Sequence, residues 1–160
     1  MNTTAFDAER LERLRNVDAV LRKEIRGQNQ VLPRVVSVVQ RGELSLTKPA
    51  RPRGSFLLLG PTGVGKTETV VVLTNQIFGG EKLFRFDMSE FQTQESLGLL
   101  LGARLGEAGY LGAVRERASE GSLLCDEAEK AHPRVLDILL QLLDAARITV
   151  ATGQTLDFSG

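Results

Sequence analysis

The chain has 160 residues, 42% apolar and 25% charged, which is enough for one domain with its own core and argues against disorder. Twenty basic and twenty acidic side chains cancel, which argues against nucleic acid or an anionic membrane as a partner. The single cysteine, Cys125, excludes an intrachain disulfide, and no apolar run approaches the roughly 20 residues of a transmembrane helix. The polar N-terminus lacks the apolar core of a signal peptide, so we expect a cytoplasmic protein.

The first predicted element is an amphipathic helix. Apolar residues recur at helical spacing from Leu11 to Ile25, and Thr4 with Asp7 resembles a capping box at the helix start. We expect this helix to end near Arg26, before a glycine. Its pattern is typical of a helix that packs on its own domain, and an arm that binds a partner is the alternative.

A second helix is predicted to begin near Asn29, with Pro33 in its first turn, where a missing N–H costs little. Valines between positions 35 and 39 supply its apolar face. The following segment, Leu44–Gly54, holds two prolines and three basic residues and is predicted to be a loop.

Strands and helices then alternate along the chain. Ser55–Gly60 is short, almost wholly apolar and ends in glycine, which predicts a fully buried parallel strand. Further strands are predicted at Leu83–Asp87 and Ser122–Asp126, and helices at Lys66–Phe78, Gln94–Leu101, Leu111–Glu120 and Pro133–Ala146. We expect Gly102–Gly112 to be a mobile loop and the tail from Arg147 to form a hairpin. The alternation predicts an α/β fold with a parallel sheet.

A phosphate-binding loop follows the first predicted strand. The segment matches G-x-x-x-x-G-K-[ST] in full and precedes a predicted helix: Gly60, Pro61, Thr62, Gly63, Val64, Gly65, Lys66, Thr67. Its glycines allow consecutive N–H groups to point at one anion, and the helix adds its positive end. We expect Lys66 to reach the β- and γ-phosphates and the Thr67 hydroxyl to bind Mg²⁺. The loop therefore predicts binding of a nucleoside triphosphate.

An acidic pair ends the third predicted strand. Asp126 and Glu127 follow Leu123–Cys125, at the kind of strand end where parallel α/β sheets bind ligands. Asp126 is expected to hold magnesium, and Glu127 to orient and activate the attacking water. Cys125 is most simply a small residue of the core.

Several strings around these motifs resemble AAA+ ATPases of the Clp/heat-shock unfoldase family, and most of all the C-terminal ATPase module of ClpA- and ClpB-like proteins. The similar stretches run from about residue 25 to the end: Gly27-Gln28, Gly54–Glu68, Asp87-Met-Ser-Glu90, Asp126-Glu-Ala-Glu-Lys-Ala-His-Pro133, Leu139–Asp144 and Asp157-Phe158. The Asp-Met-Ser-Glu and Glu-Lys-Ala-His-Pro strings are quite specific to that group.

The resemblance implies a P-loop NTPase fold, namely an α/β AAA+ large subdomain with a parallel sheet flanked by helices and incomplete at the C-terminus. Residues 1–26 are then an N-terminal amphipathic helix, and residues 27–160 a partial AAA+ nucleotide-binding domain. ATP and Mg²⁺ are the implied cofactors. A protein substrate and a homo-oligomer are the implied partners in a longer parent protein.

The same resemblance assigns further residues. Ile25 and Arg26 align with the stretch that lies against adenine, with Arg26 where the family usually has an aliphatic residue. Glu68 belongs to the nucleotide-binding string, and Lys66 joins Glu127 as a catalytic residue. His132 is implied to be a structural residue near a helix start and neither a metal ligand nor a base.

The chain departs from the family at the loop that grips threaded polypeptide. The family typically has Gly-Tyr-Val-Gly there, and this chain has Gly106-Glu-Ala-Gly109. Glu107 therefore replaces the gripping aromatic, and Tyr110, offset by three residues, is the candidate substitute.

The sequence ends at Gly160, before the family's sensor residue, arginine finger and helical lid. In the family sheet, a strand from that later part lies between the strands aligned with Ser55–Gly60 and Ser122–Asp126. We therefore expect both segments to expose unpaired backbone groups, and the chain to be a truncated product or a fragment of a longer protein.

Three functions stay open at this point. ATP hydrolysis as the ATPase module of a Clp-like protein-remodelling chaperone is favoured by the intact Glu127. A non-catalytic nucleotide-binding fragment or regulatory interaction module is favoured by the missing sensor and lid. Other P-loop classes are disfavoured, because the sequence lacks Leu-Ser-Gly-Gly-Gln and Asn-Lys-x-Asp signatures and its neutral charge suits DNA remodelling poorly.

Overall fold

The computed structural model describes residues 8–46, 50–61 and 63–159 of the chain. The helices and strands in these ranges are α1 Ala8–Glu24, α2 Leu32–Glu43, α3 Lys66–Phe78, β1 Leu83–Asp87, α4 Leu97–Leu101, α5 Gly109–Arg117, β2 Ser122–Asp126, α6 Pro133–Ala145, β3 Arg147–Thr149 and β4 Thr155–Asp157. Single 3₁₀ turns lie at Met88–Glu90, Gln94–Ser96 and Ala128–Lys130. The predicted capping pair Thr4 and Asp7 lies outside the described residues.

Most helices follow the sequence prediction. α3 spans the predicted residues, and Gly79 ends it in the left-handed conformation, with φ +66°. Pro33 lies in the first turn of α2, and α6 begins at Pro133, where the fixed φ of proline suits a helix start. The predicted helix over Gln94–Leu101 forms as a 3₁₀ turn that continues into α4.

The predicted mobile loop is shorter than expected, because α5 begins at Gly109 and not at Leu111. Glycines in this region serve close packing: a Cβ at Gly109 would collide with the carbonyl of Leu100, and one at Gly102 with the carbonyl of Glu107. Leu111 is completely buried. The glycines that suggest mobility in the sequence instead let α5 pack tightly against the end of α4.

The parallel sheet is confirmed for the strands that the structure describes. β1 pairs with β2 in parallel, and Asp87 lies opposite Asp126 at the carboxyl end of the pair. Apolar residues of the two strands, including Phe86, Leu123 and Cys125, pack against a buried core that α4, α5, α6 and the C-terminal hairpin complete. The predicted hairpin is confirmed as well, since β3 and β4 pair antiparallel.

The prediction of a buried strand at Ser55–Gly60 is wrong. This segment forms no strand and no backbone–backbone hydrogen bond with any described residue, and Leu57 and Leu59 are 77% and 83% exposed. An apolar pattern favours a buried strand only where a neighbouring strand can pair with it. Among the described strands, β2 pairs with β1 alone, so its other edge is unpaired and Ser55–Gly60 has no strand beside it, as expected above.

A second core joins the first three helices. Its buried side chains are Leu14, Val17, Leu21, Ile25, Leu32, Val35, Val36, Val39, Leu73 and Ile77. The apolar face of α1 is therefore covered by α2 and α3, which favours the packing interpretation of this helix over the partner-binding arm. The proposed division of the chain after residue 26 stays a prediction.

Four charged side chains form a ring of ion pairs. Two belong to α1 and α2, one precedes the segment Ser55–Gly60, and one precedes β2. Arg10 donates to Glu43 at 2.8 Å and to Glu120 at 2.9 Å, and Arg53 donates to the same carboxylates at 3.1 and 3.3 Å. The Glu43 side chain is only 4% exposed. Two guanidinium groups thus solvate its charge in place of water.

The ring also makes stability depend on pH. Burial alone would raise the pKa of Glu120, but the hydrogen bond and charge of Arg10, together with those of Arg53, outweigh it and lower that pKa. A lowered pKa in the folded state means that the ion pairs of Glu120 with the two arginines stabilise the fold at neutral pH. This contribution is lost as the pH falls through the folded-state value.

Neutralising Glu43 tests the ring. We expect E43Q to lower the free energy of unfolding by about 1–3 kcal/mol, because two partly buried arginines each lose one of their two carboxylate partners. The matched control is D18N, which neutralises a carboxylate in an exposed pair with Arg22 and is expected to cost less than about 0.5 kcal/mol. Urea denaturation followed by circular dichroism measures both, and equal losses in the two variants would contradict the structural role of the ring.

Candidate functional site

The phosphate-binding loop has the backbone that its glycines predict. Gly60, Gly63 and Gly65 have φ values of +154°, +83° and +86°, in the range that side chains with a Cβ rarely adopt. Gly65 is the residue before α3 and is itself left-handed. Thr62, predicted to belong to the loop, lies outside the described residues, and Pro61 is exposed.

The first amides of α3 are available to a ligand. No side chain caps the helix start, and the N–H groups of Val64, Gly65, Lys66 and Thr67 donate to no described residue. Free N–H groups at a helix start carry partial positive charge and attract anions. The loop therefore has the donors that an anion requires.

Lys66 lies across this loop. Its ammonium donates to the carbonyl oxygens of Gly60 and Pro61, at 2.6 and 2.8 Å. These bonds fix the charge of Lys66 beside the free amides and close the loop from one side. The site is cationic as a result, with a helix start and an ammonium aimed at the same region.

The predicted metal-binding residues meet across two elements. The Thr67 hydroxyl in the first turn of α3 lies 3.4 Å from Oδ2 of Asp126 at the end of β2. Glu127, the next residue, is left-handed with φ +54° and exposed, and its carboxylate pairs with the ammonium of Lys130. The structure thus brings Lys66, Thr67 and Asp126 to one place, with Glu127 at its edge.

An arginine also reaches this acidic group. Arg85 of β1 donates from Nη2 to Oδ2 of Asp126 at 2.6 Å, and the other oxygen, Oδ1, accepts from the N–H of Glu127 at 3.1 Å. Both oxygens of Asp126 are therefore engaged. The only signal of this contact in the sequence is a charged residue between two phenylalanines on a predicted strand.

A cleft of about 310 Å³ lies beside the loop. Its walls come from the segment after α1 and from the loop itself: Glu24, Ile25, Arg26, Gln28, Gly63, Val64, Gly65 and Glu68. The structure thus places Ile25, Arg26 and Glu68 next to the phosphate-binding loop, as the resemblance implies. Arg26 is exposed, whereas Ile25 is 3% exposed.

Gln28 holds the two walls of this cleft together. Its side-chain amide donates to the carbonyl of Val64 at 3.1 Å. Gln28 belongs to one of the strings that resemble the family, but the sequence alone does not assign it to the site. Only its position next to a glycine-ended helix could have indicated such a role.

The Asp-Met-Ser-Glu and Glu-Lys-Ala-His-Pro strings each contain a residue that caps the turn or helix after it. Oδ1 of Asp87 accepts from the N–H and the hydroxyl of Ser89, at 2.9 and 2.6 Å, and so caps the turn after β1. These bonds lower the pKa of the Asp87 carboxyl. Nδ1 of His132 accepts from the N–H of Arg134 at 3.2 Å, which makes His132 the cap of α6. Both are positioning elements of the fold.

The lone thiol is a core group. Burial raises the pKa of Cys125 to about 11, so the thiol stays neutral at physiological pH and packs beneath the sheet. The interpretation of Cys125 as a small core residue agrees with this placement.

The candidate gripping residue does not lie at a loop tip. Tyr110 is in the first turn of α5, where its ring stacks on Phe86 and meets Phe91 edge-on, with centroids 6.2 and 6.1 Å apart. Glu107 accepts from two N–H groups of its own loop, and Leu105 at the tip is 94% exposed. Tyr110 therefore packs on two phenylalanines while remaining 45% exposed, and its role in place of the gripping aromatic stays a prediction.

Comparison with known proteins settles the family. Residues 51–160 match the AAA domain (Cdc48 subfamily), which is more than half of the chain. The chain belongs to the AAA family. The match covers the loop, α3, β1, β2 and α6. Lys66, Thr67, Asp126 and Glu127 therefore all lie inside the family domain.

The similar proteins are Hsp100 and ClpB chaperones. Heat shock protein 100 of Trypanosoma brucei brucei is 43% identical over 154 residues, and Chaperone protein ClpB of Vibrio cholerae is 44% identical over 159. ClpB of Aquifex aeolicus is 42% identical over 156 residues. These alignments cover 92–96% of this chain and only 16–18% of the relatives. The AAA chain thus spans less than a fifth of their length. Within the described ranges, no helix is long and apolar enough to cross a membrane.

The Gln28 contact can be tested without ligand. We expect Q28A to accelerate hydrogen exchange of the hydrogen-bonded amides at the start of α3 about two- to tenfold, since one hydrogen bond between the cleft walls is lost. One such amide is that of Thr69, which donates to the carbonyl of Gly65 at 2.9 Å. The matched control is Q40A, whose amide makes the same type of bond to the carbonyl of Leu14 at 3.2 Å. Q40A is expected to leave these amides unchanged, and equal exchange in the two variants would show that Gln28 does not hold the loop.

Proposed function

We propose that the chain binds ATP with Mg²⁺ at Gly60–Thr67 and Asp126. The contact between the Thr67 hydroxyl and Asp126 carries this proposal, because it joins the start of α3 to the end of β2 at the point where the loop presents its free amides. The AAA family generally uses nucleotide and Mg²⁺, which supports the proposal. The cleft beside Ile25 is the place for the base.

The residues present fit such a ligand. A Cβ would strain the backbone at Gly63 and Gly65, and the amides after them have no described partner, as an anion-binding cradle requires. The described residues contain no cluster of three or more His, Cys, Asp or Glu side chains able to hold a metal alone. A hydroxyl and one carboxylate suit Mg²⁺, which takes its other ligands from phosphates and water.

Each residue then has a separate task. Lys66 holds the β- and γ-phosphates by charge, and the amides of α3 orient them. Thr67 and Asp126 would hold a Mg²⁺ ion, and that ion would supply positive charge close to the phosphates. Glu127 accepts a proton from the attacking water at its carboxylate. For that step, Glu127 must exchange its bond with Lys130 for one with water.

We further propose that the site hydrolyses ATP within a larger Clp-like protein-remodelling assembly. The similarity to ClpB and Hsp100 chaperones supports this, and so does the intact Glu127. A protein substrate, a homo-oligomer and a cytoplasmic location belong to the same proposal. An arginine supplied in trans is worth roughly 10³–10⁵ in rate in GTPases, so the isolated chain should turn over slowly.

A binding module without catalysis is the second candidate. The pairing of Glu127 with Lys130 favours it, because the proposed base already forms an ion pair with a cation three residues further along the chain. The exposed Leu57 and Leu59 favour it too, since the segment that leads into the loop forms no strand. Nucleotide binding is common to both candidates, and turnover separates them.

Two matched glycines test binding. Gly63 and Gly153 share φ +83°, and a Cβ on either would meet no atom within 4 Å. We expect G63A and G153A to lose about 1 kcal/mol of stability alike, because both force alanine into the left-handed region. Only G63A redirects loop amides, so it alone should weaken ATP binding, by about tenfold.

Thermal shift with ATP and Mg²⁺ measures this difference. ATP at about 100 times its dissociation constant should stabilise the wild type and G153A by roughly 2.7 kcal/mol. Equal ATP affinity of G63A and G153A would contradict a phosphate site at this loop. Absence of any ATP-dependent shift in the wild type would remove the proposed function altogether.

Turnover is tested at the acidic pair. We expect E127Q to bind ATP normally and to lose about 10²–10⁴-fold of any steady-state hydrolysis, because the water loses its base. The control is E129Q, which makes the same charge change at an exposed position of the same turn and should leave the rate within twofold. Equal rates for E127Q and wild type would exclude Glu127 as the base, and binding without any wild-type turnover would favour the second candidate.

A further inference from the structure

Arg85 occupies an unusual position beside the proposed metal site. It lies in the middle of β1, opposite Leu124 of β2 and two residues before Asp87. Its neighbours Phe84 and Phe86 alternate with it along the strand, so Arg85 points to the opposite face, the one that carries Asp126. From there its guanidinium reaches Oδ2 of Asp126 at 2.6 Å.

The oxygen that Arg85 holds is the one that Thr67 also reaches. Oδ2 of Asp126 receives the Thr67 hydroxyl at 3.4 Å and the Arg85 guanidinium at 2.6 Å, so the arginine contact is the closer one. The other oxygen is taken by the N–H of Glu127. A cation that joins Thr67 and Asp126 must therefore share Oδ2 with a full positive charge that already lies against it.

The Arg85 contact is made by one nitrogen only. Among the described residues, Arg85 has no second hydrogen-bond partner, and its side chain is 57% exposed. A bidentate and buried arginine would be a fixed support for the carboxylate, whereas a single exposed bond is worth about 0.2–1 kcal/mol. Arg85 can thus leave Asp126 at small cost.

On the basis of the proposed function, we propose that Arg85 is a displaceable counter-ion of Asp126 that competes with Mg²⁺. Without metal, Arg85 neutralises Asp126 and keeps the carboxylate turned toward β1. When Mg²⁺ joins Thr67 and Asp126, the guanidinium moves out into solvent. Arg85 is therefore a positioning residue that sets the Mg²⁺ concentration at which the chain binds ATP, and it has no contact with the nucleotide.

The test measures metal requirement and not turnover. Binding of a fluorescent N-methylanthraniloyl ATP is followed by anisotropy while Mg²⁺ is titrated. We expect R85Q to lower the Mg²⁺ midpoint about two- to fivefold, because one competing charge is removed. R85K keeps the charge and should stay near the wild type. Binding of the same nucleotide in EDTA should be equal in all three proteins.

Two controls define the outcome. R147Q removes another arginine that is 57% exposed, paired with Asp157 at 3.7 Å in the hairpin, and should leave the midpoint unchanged. In a D126N background, the R85Q effect should vanish, since Arg85 acts only through Asp126. Circular dichroism confirms that each variant is folded.

The contrary results are distinct. A higher Mg²⁺ midpoint in R85Q would mean that Arg85 supports Asp126, and a loss of binding in EDTA would mean that it contacts the nucleotide; either overturns the inference. So does a midpoint equal to that of the wild type, or an effect that persists in D126N. In all of these outcomes the wild type still binds ATP, so the proposed function stands. A wild type that binds no nucleotide at any Mg²⁺ concentration overturns the proposed function and this inference with it.

Discussion

The parallel pairing of β1 with β2 is the constraint on which the site depends. Because the register sets Asp87 opposite Asp126, two acidic strand ends lie side by side at the same edge of the sheet. Asp87 uses its carboxylate to cap the next turn, which leaves Asp126 facing the start of α3. A shift of one residue in this pairing would turn Asp126 toward the apolar core and separate it from Thr67.

The other half of the site is held by helices and not by the sheet. α1 and α2 share a buried core with α3, and the ring of Arg10, Glu43, Arg53 and Glu120 ties α1 and α2 to the chain before β2. Gln28 then fixes the segment after α1 to the phosphate-binding loop. The cleft beside Ile25 is therefore a product of helix packing, and its position relative to Asp126 follows from where α3 lies on the sheet.

Local signals predicted the elements that local physics determines. Pro133 marks the start of α6, Gly79 the end of α3, and the continuous apolar run Leu123–Cys125 the strand before Asp126, and all three form as expected. The phosphate-binding loop was predictable because each of its glycines adopts a positive φ that residues with a Cβ rarely adopt. Contacts between residues far apart in the chain were not predictable. The pattern of Ser55–Gly60 does not show whether another strand pairs with it. The residues around Arg85 and Gln28 do not indicate that these side chains contact Asp126 and Val64.

The central claim is that the loop, the cleft and Asp126 form one nucleotide site within this chain. Amide chemical shifts of the labelled chain, recorded with and without ATP and Mg²⁺, test it most directly. The account predicts that the largest changes fall on Gly63–Thr67, Ile25–Gln28 and Asp126, and that changes at Asp126 require Mg²⁺. Changes confined to other surfaces, or a loop that responds while Asp126 does not respond to the metal, would contradict it.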